Sequence, residues 1–105
     1  MNVSSRLRIM YVVFEVEKDK TDVIPDIVAD DLISRQTTSV RDGASLGMKE
    51  DYTYVMIEGS EEAIEKGKEL FSEEDVEEAE DPEEVYEAIK KEDEKAAEGM
   101  GTVFG

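Results

Sequence analysis

The chain has no cysteine and no histidine among its 105 residues. The first absence excludes disulfides, thiolate metal sites and cysteine nucleophiles. The second removes the commonest acid–base side chain and the commonest transition-metal ligand. Positive charge is scarce: 12 Lys and Arg stand against 29 Asp and Glu, a formal net charge of −17. Nucleic acid and anionic membrane surfaces repel a chain of that sign, so neither is an expected partner. No run approaches the roughly 18–20 apolar residues of a membrane helix. Arg6 and Arg8 precede a short apolar run, but that run meets Glu15 and Glu17 with no small-residue cleavage pattern. It is therefore not read as a signal peptide. The composition suits a reducing cytoplasm, the location expected for it.

The hydrophobic content, 39%, is enough for one core and one domain in a chain of this length. That domain is expected over residues 1–98, with 99–105 as a flexible tail. The stretch Asp51–Phe71, DYTYVMIEGSEEAIEKGKELF, organises the rest. Its first half is β-branched and aromatic, which fits a pleated surface. Alternation puts Val55 and Ile57 on one face and Tyr52, Tyr54 and Met56 on the other. Both faces are apolar, as in a central strand. Gly59 permits a turn and Ser60 caps a helix whose stripe is Ala63, Ile64, Gly67, Leu70 and Phe71.

Leu7–Val16 is the second central strand, with Met10, Val12, Phe14 and Val16 on one face and Ile9, Tyr11, Val13 and Glu15 on the other. A first helix is expected from an Asp22 cap, with Pro25 in its first turn and Ile24, Ile27, Val28 and Leu32 as its stripe, fading near Ser34–Gln36. Thr37–Arg41 is polar enough for an edge strand, and Asp42–Glu50 reads as a long hairpin loop. Ser72–Glu84 has nine acids in 13 residues and no base. Within it, Val76 and Ala79 mark a short last strand. Asp81-Pro82-Glu83-Glu84 starts a third helix, with Val85, Ala88, Ile89 and Ala96 as a thin stripe and Gly99 as its stop.

The element order β-α-β-β-α-β, with an extra C-terminal helix, resembles the ferredoxin-like α/β plait over about residues 6–80. That resemblance implies an α+β fold, one antiparallel sheet backed by two helices. It carries little functional weight, because the fold hosts many activities.

A plait with its helices over Val12, Phe14, Val55 and Ile57 leaves Tyr11, Val13, Tyr52, Tyr54 and Met56 on the other face. Uncovered, that face is an interface for a second copy or a protein partner; the alternative is that the third helix folds back over it through Val85 and Ile89. Edge strands offer another route to a homo-oligomer. The loop with Arg41, Gly43, Ser45 and Gly47 is a candidate anion or metabolite site, since glycines bare backbone N–H groups, although a flexible hairpin tip explains it as well. It lacks the glycine-lysine-serine/threonine ending of a P-loop. The acidic run lacks the acid spacing and central glycine of an EF-hand. No catalytic, cofactor or metal residues are assigned. The chain is expected to act by association or as a regulatory subunit; the alternative is a small-metabolite sensor, with its ligand at a subunit boundary or at that loop. An enzyme ranks third.

Overall fold

The computed structural model describes the backbone of residues 10–104 and the side chains of residues 10–95. The expected arm at residues 1–5, the start of the first strand at 7–9 and the side chains of the tail lie outside the described residues. The elements are β1 (Tyr11–Glu17), α1 (Ile24–Val28), β2 (Thr37–Asp42), α2 (Gly43–Leu46), β3 (Tyr52–Glu58), α3 (Glu61–Glu73), β4 (Glu77–Glu78) and α4 (Pro82–Phe104). Short 3-10 segments at Lys18–Val23 and Ile33–Arg35 flank α1.

The four strands form one antiparallel sheet in the order β2-β3-β1-β4. The two apolar strands lie at its centre, where both faces are covered. β1 pairs with β3 along its whole length, from Tyr11 opposite Glu58 to Glu17 opposite Tyr52. The chain thus makes an α+β fold with helices against an antiparallel sheet, compatible with a ferredoxin-like plait.

Val12, Phe14, Val16, Val55 and Ile57 face α1 and α3 and join Ile24, Ile27, Ile33, Ile64, Phe71 and Val76 in one core. The Phe14 and Phe71 rings stack at 4.3 Å, a pairing that adds about 0.5–1.5 kcal/mol beyond burial. Ser60 Oγ accepts from the Ala63 N–H at 3.2 Å and caps α3 as its sequence suggests. At the other end, Val76 N–H donates to Phe71 O and Asp75 N–H to Ser72 O. This is a Schellman closure with Asp75 at φ 60°, in the left-handed region that favours glycine.

The first helical segment is shorter and more broken than the sequence suggests. The Asp30 carboxylate accepts from the N–H groups of Leu32 at 3.0 Å and Ile33 at 3.3 Å. A side chain that offers the backbone such partners competes with helix continuation. α1 therefore ends at Val28, and Ile33 is buried in place of Leu32, which is left half-exposed. The cap of α1 is Val23, without a side-chain bond, and not Asp22.

α4 starts at Pro82, as expected, and is longer than expected: the helix continues through Gly99 to Phe104. Each glycine in a helix interior costs about 1 kcal/mol relative to alanine. Extending an existing helix needs no new nucleus, which is why that cost does not stop it. No described helix is long and apolar enough to cross a membrane.

Candidate interaction surface

The sheet face bearing Tyr11, Val13, Tyr52, Tyr54 and Met56 is closed in this fold, which corrects the expectation that it is open. α4 folds back across it. Val13, Tyr54 and Met56 are buried with Ala79, Val85 and Ile89, and Tyr11, Tyr52 and Tyr86 pack half-buried around them. The cover rests on contacts between side chains distant in sequence. Tyr86 stacks on Tyr11 at 4.3 Å. The Glu58 carboxylate accepts from the Tyr86 hydroxyl at 3.1 Å and from Lys90 Nζ at 3.0 Å. Burial, then the Glu58 hydrogen bond and charge, raise the Tyr86 pKa above 10.0. The same carboxylate raises that of Lys90 above 10.5.

A second polar cluster sits at the other end of the helix's seat. Tyr54 donates its hydroxyl to Glu15 Oε2 at 3.3 Å. Lys49 Nζ lies 3.5 Å from that same oxygen and 3.2 Å from Glu80 Oε1. Burial, with the charge of Glu15 behind it, pushes the Tyr54 pKa up. A cavity of about 260 Å³ opens here, lined among others by Glu15, Met48, Tyr54 and Val85.

The candidate anion loop is not assembled for an anion. The Arg41 guanidinium is held by Glu92 at 2.9 Å and Asp93 at 3.0 Å, both on α4. Ser45 spends its hydroxyl on the Asp42 carbonyl at 2.9 Å. Gly43 is buried, with the Lys49 and Tyr52 carbonyls where a Cβ would go. Gly47 closes α2 in the left-handed conformation. What reads as a hairpin loop is thus one helical turn, with its arginine already neutralised. Among the described residues no group of three or more His, Cys, Asp or Glu side chains is placed to hold a metal ion.

Among the described residues one surface stands open. The hydrogen-bond parity of the sheet follows from its ends: Gly59 N–H donates to Met10 O at 3.0 Å and Lys18 N–H to Asp51 O at 3.1 Å. Even-numbered residues of β1 therefore bond β3, and even-numbered residues of β3 bond β2. In β2, Thr37, Ser39 and Arg41 turn their backbone groups to β3, while Thr38, Val40 and Asp42 turn theirs outward, the Asp42 carbonyl accepting from Ser45 Oγ. Arg41 Nη1 occupies the Val40 carbonyl at 3.2 Å; the Thr38 and Val40 N–H groups and the Thr38 carbonyl face the open edge. Val40 is 41% exposed and, with Met10, one of two large apolar side chains exposed among the described residues. It points to the α1/α3 side, opposite Val55. The shortness of α1 leaves this margin of the sheet poorly covered. The sequence signal was the polar stretch TTSVR with one valine in it, sufficient to mark an edge strand but not to show which groups it leaves free.

Charge follows the same division. Residues 33–41, ISRQTTSVR, hold two arginines and no acid. The opposite edge differs: β4 is two residues long, both glutamate. Short, charged edges resist pairing, whereas the longer β2, with the Thr38 and Val40 N–H groups and the Thr38 carbonyl turned outward, can accept a strand. No family model, curated protein or solved structure matches the chain.

Proposed function

We propose that the chain is a ferredoxin-like plait domain that works by association, as an interaction or regulatory component of a larger assembly, and that a partner strand joins it at β2. The observation that carries this reading is the outward-facing backbone of Thr38 and Val40, beside an exposed Val40 side chain. Backbone hydrogen bonds supply affinity in strand addition, and alternate side chains supply specificity. The split connections support the plait: β1 and β2 straddle β3, and β3 and β4 straddle β1.

A photoreactive residue at position 40, irradiated in the cells that make the protein, tests this. Covalent adducts that disappear when Thr38→Pro is added are the expected result. No adduct at position 40, with the protein folded and abundant, would sink the reading.

A second reading, a sensor for small cationic metabolites, draws support from the 260 Å³ cavity at Glu15. The Glu15 carboxylate there already faces the Lys49 ammonium and the Tyr54 hydroxyl. A ligand selective for the folded state raises the melting midpoint. A thermal-shift screen of small amines, repeated on Glu15→Gln, separates this reading from the first.

A further inference from the structure

We infer that the strand which joins β2 is β2 of a second copy of this chain, antiparallel about a two-fold axis through Ser39. The inference rests on the association reading and names its partner. Three observations carry it: backbone parity, side-chain pairing and charge.

Only Thr38 and Val40 of the strand's middle face outward, two residues apart. An axis through Ser39 places Thr38 of one copy opposite Val40 of the other, and the reverse. Each such pair is of the hydrogen-bonded kind, in which both residues exchange N–H and carbonyl bonds. Four backbone hydrogen bonds result from two outward residues per copy, provided the Arg41 guanidinium releases the Val40 carbonyl it now holds. Shifting the register by one residue would set outward groups opposite inward ones.

The side chains agree with that register. Thr38 and Val40 lie on the same face, opposite Ile57 and Val55 of β3. Across the axis each exposed Val40 meets a Thr38, a pair of β-branched side chains suited to a sheet. The join thus covers an apolar side chain that the short α1 leaves bare. On the other face Arg41 stands opposite Thr37, and no acid opposes an acid within Thr37–Arg41.

Charge decides between a second copy and another occupant. A chain of net charge −17 repels itself over most of its surface. Both arginines of residues 33–41 are already paired with carboxylates, Arg35 with Asp31 and Arg41 with Glu92 and Asp93, but β2 itself is the one strand of the sheet with no net negative charge, so two copies meeting here bring together their least negative strands. A basic peptide, the natural partner for the rest of the surface, gains no net charge attraction from this strand, whose Arg41 and Asp42 cancel.

Sedimentation across a dilution series, at low and at high salt, tests the inference. The wild-type mass should rise toward twice 11.8 kDa with concentration, more readily at high salt, where the bodies' mutual repulsion is screened. Thr38→Pro removes an N–H that β3 does not use and should keep the chain monomeric, with an unchanged circular dichroism spectrum. Val40→Lys is the second variant, should proline disturb the strand; it too should abolish the dimer. The amides of Thr38 and Val40 should gain protection from exchange as the mass rises. A wild-type mass fixed at 11.8 kDa in both salts would overturn the inference, as would a dimer that survives both substitutions. Adducts at position 40 with a different protein, alongside a monomeric chain, would leave the association reading standing and remove the second copy as its partner.

Discussion

The two faces of the sheet are built differently. Beneath α1 and α3 the contacts are chiefly aliphatic and aromatic, with the buried Thr53 donating its hydroxyl to Asp42 Oδ1 at the margin. Beneath α4 a smaller apolar group, centred on Val13, Met56, Val85 and Ile89, is ringed by tyrosines, lysines and carboxylates. The first face depends on shape and burial. The second depends on a few apolar anchors plus hydrogen-bonded charges whose net worth is modest in contact with water. The α1/α3 side should therefore set global stability, and α4 should be the more separable layer.

Removing a ring from the first face is the most damaging test. Phe71→Ala deletes a fully buried side chain stacked on Phe14 and should cost about 3–5 kcal/mol, read as a two-state loss of the whole fold in urea. Loss of α4 contacts alone would show that the faces are not ranked as described. Ile89→Ala on the second face should cost about 2–4 kcal/mol. Here the loss should appear first in the exchange of α4 amides, with those of β1 and β3 still protected. Simultaneous loss of all protection would make the two layers one cooperative unit.

Tyr86→Phe removes one hydrogen bond to Glu58 while leaving the stack on Tyr11 possible, and should cost about 1 kcal/mol in thermal or urea unfolding. The same contact has a pH signature. Tyr86, Tyr54 and Tyr11 hold their protons above the ordinary 10.0, chiefly through burial, and Lys90 above 10.5, chiefly through Glu58. Groups with raised values stabilise the fold fully below their ordinary pKa and lose that contribution as pH climbs through the raised one. Stability should thus fall in the alkaline range above 10.0, followed by tyrosinate absorbance together with near-ultraviolet circular dichroism. A flat profile there would contradict the role given to these groups. The smallest effect has the opposite sign. Asp75→Gly relieves a left-handed residue at the end of α3 and should raise stability by about 0.5–1 kcal/mol; a lower melting midpoint would show that the Asp75 side chain has an unseen role.

Local signals in the sequence located the elements well. Alternation placed β1 and β3, Ser60 placed the start of α3, and Asp81-Pro82 placed that of α4. Even the two-residue β4 falls between Val76 and Ala79, the residues that suggested a strand. The arrangement of layers was harder to read. Whether α4 covers the sheet depends on Val85 and Ile89 meeting Val13 and Met56, with Glu58–Lys90 and Arg41–Glu92 at the rim, contacts that no window of local sequence joins. The break in the first helix was hidden for a related reason: the periodic stripe from Ile24 to Leu32 ignores a side chain, Asp30, that binds its own backbone. Of the candidate site residues, those on the sheet face were grouped on the right face but expected in the open. Arg41 was read as free because its partners lie about fifty positions away.

The position of β1 at the sheet's centre also has a consequence for how the protein is made. Its neighbours are β3 and β4, so Tyr11–Glu17 emerges from the ribosome long before either partner exists. At about 5–20 residues per second, the wait for β3 lasts seconds. During that time an apolar strand, preceded by a segment without acids, has nothing to pair with except other nascent chains. The acids arrive with Glu15 and accumulate behind it. The excess comes late, however: residues 1–58 hold 11 acids against seven bases, and 13 of the 17 net negative charges follow β3, so it is closure of β3 over the first strand, more than charge repulsion, that ends the exposure of β1.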